Sequence, residues 1–155
     1  MNFRVMLSVA GSLLLASAAP TAAASEAPSD LCSLLPATTV SKTLGASYGS
    51  PQNSVAERPF ANTASGTDCR YSSRKDTLLF RAYVDPSPSA SAELFARLKN
   101  FFGRGSTDVN GIGDEAYLDA HHGLHVRKGK VRYFLSGAGS DQQLKELGTG
   151  IASRL

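Results

Sequence analysis

Two cysteines, Cys32 and Cys69, constrain this chain more than any other feature. Their number permits one intramolecular pairing, and whether they pair depends on the compartment. The N-terminus bears on that. A single basic residue, Arg4, precedes an apolar run from Val5 to Ala16, and A-x-A follows at Ala22 to Ala24. This order of charge, apolar stretch and small residues is that of a secretory signal peptide over residues 1–24, cleaved near Ala24. The run of about 12 residues is too short to cross roughly 30 Å of hydrocarbon, and no other stretch is longer, so no membrane span is expected in the mature chain. The expected location is secreted or periplasmic. There an even cysteine count favours a disulfide. Closing a loop of about 37 residues would contribute about 4 kcal/mol in the chain-entropy model. A zinc or redox pair would need C-x-x-C or further ligands nearby, and the sequence has neither.

Residues 25–155 suffice for one domain with one core. The full chain of 155 residues carries a formal charge of +3 with its basic residues scattered among acids. That does not mark a nucleic-acid binder.

Hydrophobic periodicity gives the order of elements. Asp30 can cap a short helix through LCSLL, and a second segment, ATTVSKTL, follows Pro36 and ends at Gly45. Residues 46–68 read as an exposed loop with at most one ragged strand near Val55. CRYSS and TLLFRAYV read as strands, and the alternation predicts Leu78, Phe80, Ala82 and Val84 on one face of the second. Ser87-Pro88 opens a helix to about Phe102 with an apolar stripe of Leu94, Phe95, Leu98, Phe101 and Phe102. EAYLD, LHVRK and VRYFLS read as strands, and a helix spaced by Leu144, Leu147, Ile151 and Leu155 closes the chain. The prediction is an α+β fold, a mostly antiparallel sheet with helices packed on it.

Three motifs resemble chemistry, and each has a plainer explanation. GIGDEA, from Gly111, has the glycine spacing of a phosphate loop, but a strand pattern follows it where a helix is needed. A tight turn with Gly111 and Gly113 at positive φ accounts for it. GASYG, around Ser47, has nucleophile-elbow spacing, but a helix precedes it and a loop follows. HHGLH places His121, His122 and His125 in a hairpin; with Asp119, His121 and His125 could approach one metal ion, although a solvated turn is the plainer reading. No catalytic residue and no cofactor is assigned.

A different signal comes from the polar strand face. Alternation sets Arg70 and Ser72, Arg81 and Tyr83, His125 and Arg127, and Arg132 opposite the apolar positions. If the strands are neighbours, Arg70, Arg81, Tyr83, Arg127 and Arg132 form a candidate binding face for an anion or acidic partner. The plainer expectation is a solvated sheet face.

DLCSLLPATTVSKTLG, DCRY and VNGIGDEAY, taken in order, resemble a family of small exported bacterial proteins of unknown function, largely actinobacterial lipoproteins. The shared features are an early Cys before a Leu-rich helix ending Leu-Gly, a second Cys before an aromatic (here Tyr71), and a late V-x-G-[IL]-G-[DE]-x-A-[YF] turn. The resemblance covers most of residues 30–135. It implies a Cys32–Cys69 disulfide and a Mog1/PsbP-like α/β sandwich, and brings no catalytic residues. This chain departs from the pattern in lacking a lipid-attachment Cys behind its signal. Together these features lead to the expectation of a non-catalytic binding or interaction protein of the bacterial envelope. Its partner would be another envelope protein, met through a sheet face or loop, or a small ligand; the alternative is a small-molecule or metal binder using the 119–125 hairpin, with a small hydrolase a lesser one.

Overall fold

The computed structural model describes residues 29–61 and 63–155; the signal-peptide reading falls on residues outside these. Asp30 accepts the backbone N–H of Cys32 at 3.0 Å and starts a 3-10 turn, Leu31–Leu34. Helix α1, Ala37–Leu44, ends at Gly45, whose φ of 70° is the left-handed geometry that glycine adopts without cost. Three strands follow: β1 Gln52–Ala56, β2 Gly66–Ser72 and β3 Thr77–Val84. Helix α2, Pro88–Phe102, begins where Ser87 accepts the N–H of Ala90 at 3.1 Å. Then come β4 Thr107–Asp108, β5 Glu115–Leu118, β6 Leu124–Lys128 and β7 Val131–Gly137. Helix α3, Asp141–Ala152, opens on a capping box between Ser140 and Gln143.

The strands form one antiparallel sheet in the order β1-β2-β3-β7-β6-β5-β4. The chain is therefore the α+β domain expected, with two differences in the stretches read as loop. β1 is a full strand, and β2 begins at Gly66 rather than at Cys69, because pairing with β3 satisfies backbone groups that local sequence leaves open. The two-residue β4 has no sequence signal of its own.

The sheet's two faces are covered differently. On one, Tyr71, Leu78, Phe80, Leu124, Val126, Tyr133 and Leu135 are buried beneath the 3-10 turn, α1 and α3. Cys32 and Cys69 form a disulfide with Cα atoms 5.7 Å apart, tying that turn to β2. Tyr71 reinforces the tie by donating its hydroxyl to the carbonyl of Leu35, and burial pushes that phenol's pKa well up. Tyr133 donates to the carbonyl of Gly148 at 2.6 Å. Gly148 lets α3 lie close on β6, since a methyl there would press on Leu124 at 2.6 Å.

The second face, expected to be solvated, is roofed in part by α2. Helix α2 buries less of its apolar stripe than its periodicity predicts: Phe95 is buried, whereas Phe101 and Phe102 are 72% and 56% exposed. The stripe is wider than the surface against which it packs.

Candidate functional site

Sheet register turns scattered positions of the second face into rows. Asp68 of β2 pairs with Arg81 of β3, Arg81 with Phe134 of β7, Phe134 with His125 of β6, and His125 with Tyr117 of β5. The neighbouring row runs Tyr83, Arg132, Arg127, Glu115. Directly opposed side chains in antiparallel strands lie within contact distance. Each row is thus a line of interacting groups.

Between these rows and α2 lies a cleft of about 350 Å³, lined by Arg81, Tyr83, His125, Arg132 and Phe134 from the sheet. Phe95, Leu98 and Phe102 of α2 form the opposite wall, and Glu57, Arg58 and Pro59 border it after β1. A volume of this size suits a small ligand. The loop after β1 is held toward α2 by Phe60, which meets Phe101 edge-on at 6.4 Å and lies under Arg97 at 4.1 Å.

Both arginines are fixed by carboxylates. Arg132 donates from Nε and Nη2 to Asp85 at 2.6 and 3.0 Å, and the two side chains are only 4% and 3% exposed. Arg81 donates in the same bidentate way to Asp68 at 2.6 and 2.9 Å, and that hydrogen-bonded carboxylate raises its pKa. In both residues these bonds run through Nε and Nη2, so Nη1 takes no part. The Tyr83 ring lies 4.9 Å from the Arg132 guanidinium, and its hydroxyl donates to the Glu57 carbonyl at 2.7 Å. Burial raises the Tyr83 pKa, against the opposing pull of Arg81 and Arg132. Gly66 makes room for that ring, because a Cβ there would meet it at 2.6 Å.

His125 stacks on the Tyr117 ring and meets the Phe134 ring tilted by 38°, both at 4.5 Å between centroids. Its Nε2 is 2.9 Å from Oδ2 of Asp119. With Nε2–H donating to that carboxylate, Nδ1 carries the lone pair. Burial lowers the His125 pKa, and Asp119 only partly opposes this. Burial would raise the Asp119 pKa, but hydrogen bonds from His125 and from the N–H groups of Gly123 and His121 outweigh it, and the value is lowered. Gly123 is required here because a side chain would run into the Phe134 ring and the Asp119 carboxylate.

The predicted site residues separate accordingly. Arg81, Tyr83 and Arg132 line the cleft together. Arg127 shares their face but is drawn to Glu115 at 3.0 Å and Asp114 at 3.1 Å. Arg70 lies exposed on β2, 3.6 Å from Asp68. Ser72 is exposed at the end of that strand. Of the metal-ligand candidates, Asp119 and His125 meet. His121 is exposed and reaches Asp119 only through its backbone N–H, at 2.8 Å. Among the described residues no three His, Cys, Asp or Glu side chains are placed to hold a metal ion. His122 takes a φ of 62° and turns to Asp141 instead, at 2.9 Å.

The GIGDEAY stretch is a turn feeding β5, with Gly111 and Gly113 at φ 81° and 62°. It sends Ala116 and Leu118 to the core and Tyr117 to the opposite face. Asp114 accepts the N–H of Gly129 at 2.7 Å and salt-bridges to Lys128 and Arg127, clamping this turn to the β6–β7 turn. Gly129 is the leading cause that lowers the Asp114 pKa against its burial. Ser47 lies exposed between α1 and β1, without the strand that an elbow needs.

Sequence reasoning missed Asp68, Asp85 and Phe134 as members of this site. Phe134 had a signal, since it alternates with Arg132. Asp85 had none, as it sits in the DPSPS break. No family model, curated protein or solved structure matches the chain.

Proposed function

We propose that this is an exported, non-catalytic protein of the bacterial envelope that binds a small molecule in the cleft between α2 and the β3-β7-β6 face. The observation that carries the reading is the pairing of polar side chains with an apolar wall in one cleft. Arg81, Tyr83, His125 and Arg132 face Phe95, Leu98 and Phe102 across about 350 Å³. Binding without catalysis is supported by how the nearby carboxylates are used. Asp68 and Asp85 each hold an arginine, and Asp119 holds His125. Export is supported by the Cys32–Cys69 disulfide. The resemblance of residues 30–135 to a family of small exported bacterial proteins agrees with that location.

An NMR screen tests the reading. Small apolar acids, alcohols and amines are titrated into labelled protein, and amide shifts are mapped. The proposal expects saturable shifts clustered at Tyr83, His125, Arg132 and Phe134. Shifts confined to other surfaces would refute it.

A second reading, docking of another envelope protein, is favoured by the exposure of Phe101 and Phe102, 4.7 Å apart at the end of α2. Capture of one defined envelope protein, lost with Phe101→Ser while small-molecule shifts persist, would favour this second reading.

A further inference from the structure

We infer that the α2 cleft selects an amphipathic monocarboxylic acid, with its carboxylate on the Nη1 groups of Arg81 and Arg132 and its apolar part against Phe95, Leu98 and Phe134. This rests on the binding role proposed above and specifies the ligand class. Size comes first. A cleft of about 350 Å³ holds about a dozen non-hydrogen atoms at roughly 30 Å³ each, the share of a water molecule in the liquid.

Charge comes next. Arg81 and Arg132 stand on adjacent strands, one residue pair apart on the same face, since Arg81 opposes Phe134 and Arg132 opposes Tyr83. A guanidinium has five N–H donors, and the bidentate bonds to Asp68 and Asp85 engage only Nε and Nη2. The Arg132 side chain is almost wholly out of solvent, so a donor there gains from an acceptor more than it would in water. A carboxylate supplies two acceptor oxygens and takes charge-assisted hydrogen bonds from such a pair. An alcohol offers a weaker, uncharged acceptor. An amine would leave both Nη1 groups without an acceptor; Asp68 and Asp85 already face arginines, and the Glu57 carboxylate at the cleft border is exposed, where an ion pair contributes little. A doubly charged phosphate would bring twice the charge of a carboxylate to a floor whose two guanidiniums each already face a carboxylate, at a larger desolvation cost.

The apolar part has one direction to go. Phe95 and Leu98 wall the cleft, and Phe102 continues the wall to solvent with 56% of its surface exposed. A chain leaving the head group therefore runs along α2. A longer acid would extend past the cleft over Phe102.

Calorimetric titration of the purified protein with decanoate, 1-decanol and decylamine tests the inference. Decanoate should bind one-to-one and at least about tenfold tighter than either analogue, the difference one charge-assisted hydrogen bond makes. Arg132→Lys keeps a cation beside Asp85 but removes Nη1. It should weaken decanoate about tenfold and leave decanol unchanged. Arg81→Lys, at a less buried position, should behave alike and serves if Arg132→Lys does not fold. Decanol or decylamine binding as tightly as decanoate would overturn the ligand class while leaving the cleft a binding site. Both lysine variants binding decanoate like the parent would do the same. No saturable binding of any of the three compounds would overturn the inference. The binding role would fall with it only if the NMR screen also showed no shifts at the cleft.

Discussion

Removing Arg132 should destabilise this protein more than removing the whole ion pair of which it is part. Arg132 and Asp85 are joined by two hydrogen bonds, at 2.6 and 3.0 Å, with side chains 4% and 3% exposed. Arg132→Met leaves the Asp85 carboxylate buried among groups that cannot solvate it. Breaking a buried pair from one side costs about 3–5 kcal/mol, whereas replacing both partners by apolar groups is often close to neutral. Asp85→Ala strands the guanidinium in the same way, although the Tyr83 ring at 4.9 Å relieves part of that charge. The double variant Arg132→Met/Asp85→Ala strands neither charge, and it should lose about 1–3 kcal/mol, chiefly through the small cavity at position 85. The coupling between the two sites should therefore be several kcal/mol, well beyond the few tenths expected of independent positions. Urea denaturation of the four proteins measures it directly. Additive losses in the double variant, or an Arg132→Met protein within about 1 kcal/mol of the parent, would refute the reasoning and mean that the pair is effectively solvated.

The disulfide should contribute strongly: Cys32→Ser is expected to cost about 2–5 kcal/mol, read as a lowered melting temperature, and full thiol labelling of the native protein would contradict the pairing. Gly113→Ala should cost about 2 kcal/mol or more, because φ is 62° and a methyl would meet Val126 at 2.8 Å as well as the Arg127 carbonyl. Gly111→Ala, at φ 81° in open space, should cost about 1 kcal/mol, and equal losses in urea melts would show that the clamp at Gly113 is loose. Acidification should destabilise in two stages. His125 has a lowered folded pKa, so its contribution is complete above the unfolded value of about 6.5 and is lost as pH falls toward the folded value. Asp119, also lowered, adds a loss only as pH drops below about 3.9 toward its folded value. Melting temperatures should begin to fall as pH drops through about 6.5, and His125→Gln should flatten that portion; an unchanged slope in the variant would assign it to other groups.

Local chemistry determined much of this protein before any tertiary contact was known. Alternation in TLLFRAYV put Leu78, Phe80, Ala82 and Val84 on one face, of which the first three are buried in the core and Val84 packs against it, and alternation set Arg81, Tyr83 and Arg132 on the opposite face, because a strand's side chains alternate whatever it pairs with. Gly45, Gly111 and Gly113 marked backbone that turns left-handed, and Ser87-Pro88 marked the start of α2. Two cysteines left one intramolecular pairing.

Tertiary structure alone decided which strands are neighbours. β3 lies beside β7, a strand distant in sequence, with Tyr83 opposite Arg132, and this brings Arg81, Phe134 and His125 into one row. The stripe on α2 predicted a helix but not which part of it would be covered. Phe95 found the Tyr117 ring at 5.3 Å, while Phe101 and Phe102 overran the sheet. Asp85 became a buried ligand of Arg132 although its surroundings read as a loop. A carboxylate in a turn carries no local mark of the guanidinium that will fold against it, because that meeting is fixed by strand order rather than by neighbours in sequence.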